Sequence, residues 1–287
     1  MIKKTALFHD MSCFGRCALS VIVPIISVLK IQPVIFPTAL FSTHTGGFTD
    51  YMFLDLTGEI KKIILHYKKL KLKPDCVYTG FLGSTEQIEI ISEYINEQKK
   101  HGAFIFVDPV MADNGHLYSS YTEEMKRGMI KLAASADIIT PNMTEAFFLL
   151  DMDYQAPPYS KTLINDIIYK LCEYNIKKIV ITSVDILDKG YSVVYGENTG
   201  ENIKINEIYI RQREKNYPGS GDIFSSVLCG LILNGASLRE SIETAVNFLN
   251  KIIDYTMEAE TPEREGLIFE QFLDNIKNSD DIKKYKI

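Results

Sequence analysis

Apolar residues fall along the chain in two patterns that alternate. Short apolar runs at Thr5–Phe8, Gln32–Phe36, Cys76–Thr79, Ala103–Val107, Asp137–Thr140 and Lys178–Thr182 read as strands. The 103–107 run, AFIFV, is apolar throughout, as a parallel strand buried on both faces requires. Between these runs, apolar residues recur at helical spacing: Leu56, Ile60, Ile63, Ile64 and Tyr67; then Ile88, Ile91 and Ile95; then, late in the chain, Ile242, Ala245, Val246, Leu249, Ile252 and Ile253. Ser84 with Gln87 three residues on predicts a capping box that starts the second of these helices. Gly15 to Leu29 is a further helical segment, and Pro24 is expected to kink or interrupt it. Residues 153–160, DYQAPPYS, read as a loop, and Tyr191 to Ile210 as additional strands. Strands alternating with helices give βαβ units, so the expected fold is α/β with a mostly parallel sheet covered on both faces. No repeat, low-complexity tract or linker divides the sequence, and a single domain over 1–287 is expected. In such sheets ligands sit outside the carboxyl ends of the strands.

Composition narrows the function classes. With 287 residues, 46% hydrophobic and 24% charged, the chain is an ordinary globular one. Its 31 basic and 37 acidic residues leave a net charge of -6, which argues against a nucleic-acid partner. The basic run Lys68, Lys69, Lys71 and Lys73 closes a helical segment and reads as a solvated face. Cys13, Cys17, Cys76, Cys172 and Cys229 are odd in number and form no C-x-x-C pair, so neither a disulfide framework nor a zinc site is expected and a reducing compartment is. Ala6 to Phe8 is too short an apolar segment for a signal peptide, and no apolar run reaches the roughly 18 residues of a membrane span. A cytoplasmic protein with no membrane partner is the expectation.

The residues after the predicted strands carry the candidate chemistry. Pro218-Gly219-Ser220-Gly221-Asp222-Ile223-Phe224 places two glycines and a carboxylate at the start of a helical run. Glycines permit close approach by a ligand, and the open N–H groups of a helix start favour an anion. A carboxylate in that first turn is placed to take a proton from an attacking hydroxyl. The same residues also fit a plain glycine turn with Asp222 as a helix cap. Asp108 and Asp113 follow the AFIFV strand, and Thr140, Asn142, Thr144 and Glu145 follow the next. These are hard oxygen ligands suited to Mg2+ carried on a nucleotide, though turn and helix-start roles also fit them. His9, Asp10, Ser12 and Gly15 follow the first strand, and Ser42, Thr43, His44, Thr45, Gly46 and Gly47 the second. Both groups suit a polar small molecule or simple turns. Thr182 and Ser183 end a further strand, where their hydroxyls meet phosphates or cap the strand. The topology converges these clusters on one crevice. The sequence contains no G-x-x-x-x-G-K-[ST] loop, no G-x-G-x-x-G after the first strand and no G-x-S-x-G elbow, which disfavours P-loop ATPases, dinucleotide enzymes and α/β-hydrolases.

In order and spacing, HDMSCFGRCALS, STHTGG, TGFLGS, VDPVMADNG, ITPNMTEA, VITS and PGSGDIF make the chain resemble the pyridoxal kinase branch of the ribokinase-like superfamily over essentially its whole length. The resemblance implies a three-layer αβα sandwich with a small flap, usually a homodimer, using ATP and Mg2+, with a monovalent cation as a further candidate. It implies phosphorylation of the hydroxymethyl group of a B6 vitamer, with Asp222 as base and Gly219, Ser220 and Gly221 as anion hole. The family usually has threonine at the position of Ser220; serine keeps the hydroxyl. By the same resemblance, Asp108, Asn142 and Glu145 organise metal-bound phosphates, with Asp108 and Glu145 on the metal side. Asp113 and Tyr118 line the nucleotide site, Thr182 and Ser183 touch the nucleotide, Thr45 meets the pyridine ring, and Asp10 and Ser12 occupy substrate-loop positions. Phe81 stands where many members have tyrosine, and His9-Asp10-Met11-Ser12 replaces a longer serine-containing loop. HDMSCFG is also similar to hydroxymethylpyrimidine kinases of thiamine biosynthesis, the alternative reading. A vitamin-binding protein without catalysis is the third, and Asp222 in its glycine frame argues against it.

Overall fold

The computed structural model describes residues 2–211, 215 and 217–277. The chain forms two compact units, one built from residues 1–56 and 213–287 and the other from residues 57–212.

The first unit opens with β1 (Lys4–Phe14), α1 (Leu19–Val28), β2 (Gln32–Thr43) and β3 (Phe53–Asp55). β1 and β2 pair in parallel from Lys4 opposite Gln32 to Phe14 opposite Thr43, with a register irregularity between His9 and Met11. β3 lies antiparallel on β2. Both long strands outrun the apolar runs that announced them. His9, Asp10 and Ser12, expected in a loop after the first strand, stand on β1 itself, and Ser42 and Thr43 stand on β2. The reason is that backbone pairing continues through residues whose side chains are polar yet buried, among them Thr5, His9, Asp10, Ser12 and Thr38, and hydropathy does not register such positions. The first helix begins at Leu19 and not at Gly15, because Gly15 (φ 91°) and Ala18 (φ 52°) hold left-handed backbone that no α-helix contains. It then runs on through Pro24 without interruption. Burial of Val21, Ile22, Ile25 and Ile26, at about 2 kcal/mol each, outweighs the roughly 3 kcal/mol that an interior proline costs.

The second unit runs α2 (Thr57–Lys69), β4 (Cys76–Thr79), α3 (Thr85–Lys99), β5 (Phe104–Val107), β6 (Ala112–Asp113), β7 (His116–Leu117), α4 (Glu123–Ala133), β8 (Ile138–Ile139), α5 (Met143–Leu149), α6 (Lys161–Glu173), β9 (Lys178–Ile186), β10 (Gly190–Asn198) and β11 (Ile203–Tyr209). β4, β5, β8 and β9 are parallel neighbours in that order, joined through helices. β10 and β11 continue as an antiparallel ribbon on β9, the additional strands expected late in the chain. β6 and β7 form a separate small hairpin. Ile105, Phe106 and Val107 of β5 are fully buried, as the all-apolar run required. Ser84 does cap α3, accepting the Gln87 N–H at 3.2 Å. The reciprocal half of the box is absent, since the buried Gln87 amide accepts the Gly83 N–H at 2.8 Å and donates to Thr57 Oγ1 at 3.0 Å.

The chain returns to the first unit with α7 (Ser220–Leu233), α8 (Leu238–Glu258) and α9 (Leu273–Lys277). α7 packs against α1 and α8. Gly230 makes the α1 contact possible, because a β-carbon there would lie 2.4 Å from Leu29 Cδ1. The five cysteines are free thiols. Among the described residues no helix is long and apolar enough to cross a membrane.

Candidate active site

The start of α7 organises the first unit's polar centre. Gly219 precedes the helix in left-handed conformation (φ 78°), and no side chain caps the helix. A β-carbon at Gly219 would stand 2.0 Å from the Arg16 carbonyl oxygen, so only glycine lets the loop before α1 and the start of α7 meet backbone to backbone. Gly221, one residue into the helix, is exposed, and a β-carbon there would meet nothing within 4 Å. The Ser220 N–H turns back to the Tyr217 carbonyl at 3.3 Å, which leaves the Gly221 and Asp222 N–H groups at a helix start that favours an anion.

Asp222 lies in that turn. Its Oδ2 accepts the Ala18 N–H at 2.8 Å and the Cys17 thiol at 3.4 Å. Burial raises the Asp222 carboxyl above its ordinary range, and the two donors together with the nearby His44 act in the opposite sense. Asp10, on β1, is 8% exposed and faces the same carboxylate. Burial first, and then the Asp222 charge, push it up to about 7, while Ser12 Oγ donates to Asp10 Oδ2 at 3.4 Å. Asp10, Ser12 and Asp222, picked out separately in the sequence, thus belong to one cluster. Cys17 and Ala18 are its members that sequence reasoning missed: nothing local pairs residues 17 and 18 with residue 222, and only the Gly15 turn marked that loop as unusual.

His44 closes the cluster's edge. Its Nδ1 accepts the Gly46 N–H at 3.1 Å, so Nε2 carries the hydrogen and donates to the Arg264 carbonyl at 2.7 Å. Both ring nitrogens are engaged in the neutral form, and burial lowers the imidazole further from charging. Gly15 and Gly46 pack against this ring; a β-carbon on Gly15 would lie 2.4 Å from His44 Cδ2. Thr45, next to His44, is exposed.

The second unit holds a carboxylate cluster. Asp108 follows β5 and Glu145 sits in the first turn of α5; both are buried. Asn142 and Glu145 form a full capping box: Glu145 N–H donates to Asn142 Oδ1 and Asn142 N–H to Glu145 Oε2, each at 2.9 Å. Glu145 Oε1 accepts the Met111 N–H at 3.2 Å, and Asn142 Nδ2 donates to the Ala112 carbonyl at 2.9 Å, which ties α5 to the β6–β7 hairpin. Burial and the Asp108 charge hold the Glu145 carboxyl well above its usual range. Asp113 occupies the hairpin, its carboxylate accepting the Asn114 N–H at 2.9 Å, and Thr144 Oγ1 accepts the Gly115 N–H at 3.0 Å. The structure therefore brings Asp108, Asp113, Asn142, Thr144 and Glu145 together. Thr182 joins them through a backbone bridge to Asn142. Ser183 is exposed at a bulge of β9 with φ 53°, a left-handed kink inside the strand that was expected to end there. Tyr118 is half-exposed beyond β7, its N–H bonded to the Met111 carbonyl. Phe81 is half-buried and edge-on to Tyr121 at 6.2 Å.

A glycine-framed helix start carrying a carboxylate, and a strand-end carboxylate pair, on α/β units lacking a P-loop, are the parts of a small-molecule kinase. The kinase assignment has support beyond this geometry. The profile of the phosphomethylpyrimidine kinase family matches residues 25–265. Pyridoxal kinase PdxY from Histophilus somni is 27% identical over 252 residues, covering 84% of this chain and 85% of that one. A Bacteroides thetaiotaomicron protein described as a phosphomethylpyrimidine kinase, in a crystal form with pyridoxal, is 37% identical over 96% of each chain, with a TM-score of 0.90. Pyridoxal kinase from Lactobacillus plantarum is 26% identical, with a TM-score of 0.85 over 96% of this chain and 97% of that one. The protein belongs to the phosphomethylpyrimidine kinase family, and its fold is ribokinase-like.

Proposed function

We propose that the protein transfers the γ-phosphoryl group of Mg-ATP to the hydroxymethyl group of a B6 vitamer. The observation that carries this reading is the Asp222 carboxylate, held by one oxygen at the open end of α7. Asp222 takes the proton of the hydroxymethyl group as its oxygen attacks the γ-phosphorus and ADP leaves. The helix start at Gly219, Ser220 and Gly221 forms the anion hole that stabilises charge on the transferring phosphoryl. Asp10 and Ser12 hold the polar substituents of the acceptor, and Thr45 its ring.

In the second unit, Asp108 and Glu145 serve the metal. Mg2+ on a nucleotide needs only one or two carboxylates and keeps several waters. Two buried carboxyls fit that need: burial and the Asp108 charge raise the Glu145 charging cost, and a divalent cation would relieve the cost. Asp108 and Glu145 would hold the metal, with each Glu145 oxygen also accepting a backbone N–H. Asn142, Asp113, Tyr118, Thr182 and Ser183 serve the nucleotide. A monovalent cation, action in the cytoplasm, and residues 1–287 working as one kinase domain belong to the same proposal. So does a homodimer, supported by the exposed apolar residues Tyr51, Met52, Phe53 and Leu54 at and just before β3 and checked by molar mass in solution.

The test is Asp222→Asn. Loss of a general base lowers turnover by about 10³-fold, with ADP affinity kept within several-fold. A wild-type rate would refute the mechanism. A second reading, phosphorylation of hydroxymethylpyrimidine or its phosphate, is favoured by the family match and by the 26% identical thiamine biosynthetic bifunctional enzyme of Arabidopsis thaliana. It keeps the same base and differs only in the acceptor.

A further inference from the structure

The Asp222 carboxylate is gripped on one oxygen only. Cys17 Sγ and the Ala18 N–H both reach Oδ2, and among the described residues Oδ1 accepts nothing. We propose that Cys17 is a positioning residue for Asp222: its thiol, together with the Ala18 N–H, fixes Oδ2 and so reserves Oδ1 for the proton of the acceptor alcohol. This rests on the reading of Asp222 as the base.

Independent contacts make the grip rigid. Ser20 Oγ donates to the Cys17 carbonyl at 2.7 Å and accepts the Cys17 N–H at 3.3 Å, which pins residue 17 from both sides of its backbone. Arg16 N–H donates to the Glu265 carbonyl at 3.1 Å, and Arg16 Nε pairs with Glu270 at 2.6 Å, which anchors the loop from behind. The close approach of Arg16 and Gly219 joins the loop to the helix that carries Asp222. A carboxylate turns about its last torsion with little preference, so both oxygens would otherwise share the proton-accepting position. Two donors on one oxygen end that degeneracy, and orientation of a reacting group is worth a large factor in rate.

The chemistry of the neighbours assigns this task to the thiol. The groups facing Asp222 are Asp10 on β1, Cys17 before α1 and His44 after β2. Asp10 repels it. His44 has both nitrogens engaged elsewhere. Burial, then the Asp222 and Asp10 charges, hold the Cys17 thiol well above its ordinary range, so it keeps its hydrogen as a donor and is no nucleophile.

The experiment compares Cys17→Ala and Cys17→Ser with the wild type in the pH dependence of kcat, using Mg-ATP and a B6 vitamer. A donor to the ionised carboxylate lowers its proton affinity, so its loss moves the acid limb to higher pH. We expect Cys17→Ala to lower kcat about tenfold and to shift the limb upward by about half a pH unit, with KM for ATP unchanged, and Cys17→Ser to restore both. A Cys17→Ala enzyme with unshifted limb and full kcat overturns the proposal, as does a serine variant impaired like alanine. The Asp222 carboxyl is also titrated by 13C NMR, assigned with Asp222→Asn. If Asp222→Asn turns over normally, the base reading has failed, and the NMR titration alone decides whether Cys17 acts on Asp222: no change in Cys17→Ala overturns that too. Should Cys17→Ala not fold, Cys17→Val fills the space without a donor and takes its place.

Discussion

Replacing Asp10 by asparagine should stabilise the protein at alkaline pH and leave its stability at acid pH nearly unchanged. Burial and the Asp222 charge move the Asp10 carboxyl from 3.8 to about 7. A group raised in this way binds a proton in the folded state that it has lost in the unfolded one, throughout the window between those two values. Stability therefore falls as pH rises from about 4 to about 7, and the full cost is present above 7. At 1.36 kcal/mol per pH unit the displacement corresponds to about 4 kcal/mol, and relaxation around the charge brings the realised cost to about 2 kcal/mol. For a chain of this length that is a rise in Tm of about 4 °C for Asp10→Asn at pH 8, against about none at pH 4. Scanning calorimetry of both proteins at the two pH values reads the difference directly. Equal Tm differences at pH 4 and pH 8 would refute the reasoning, because they would show that Asp10 carries no charge burden from its site.

Other consequences follow from the same geometry. Gly219→Ala puts a β-carbon 2.0 Å from the Arg16 carbonyl on a left-handed backbone; turnover should fall at least about 100-fold with displacement of Asp222, and a rate within twofold of wild type would contradict the close-packed loop. Ala18 holds φ 52° and ψ -135°, backbone suited to glycine, so Ala18→Gly should raise stability by about 1 kcal/mol in urea titration and keep activity; destabilisation would show that the alanine conformation is unstrained. Glu145→Gln keeps one acceptor for the capping box, faces its amide N–H to the Met111 N–H and removes the charge, so the Mg2+ concentration for half-maximal rate should rise about tenfold. An unchanged Mg2+ requirement would remove Glu145 from the metal side of the site.

Much of the fold was legible because the physics that forms it is local. AFIFV reads as a doubly buried strand, and Phe104–Val107 form it, buried from Ile105 onward. The period of Ile88, Ile91 and Ile95 marks the buried face of α3. What escaped was set by tertiary context. β1 and β2 extend through polar residues because their backbones pair, and no hydropathy pattern shows that. β3, with all three residues exposed, has no apolar pattern at all. Gln87 leaves its expected box because Thr57 and Gly83 offer better partners. Within the site, Asp222 and its glycines were legible as a motif. The Cys17–Asp222 and Asp10–Asp222 contacts join residues some two hundred positions apart, and spacing along the chain holds no record of them.

The most direct test of the central claim is a product assay. The purified protein is incubated with Mg-ATP and, in separate reactions, with pyridoxal, pyridoxamine, pyridoxine and hydroxymethylpyrimidine, and products are read by mass spectrometry. Rapid appearance of a B6 vitamer monophosphate, abolished in Asp222→Asn, is the predicted result. Phosphorylation of the pyrimidine alone, or of none of the four, would contradict it.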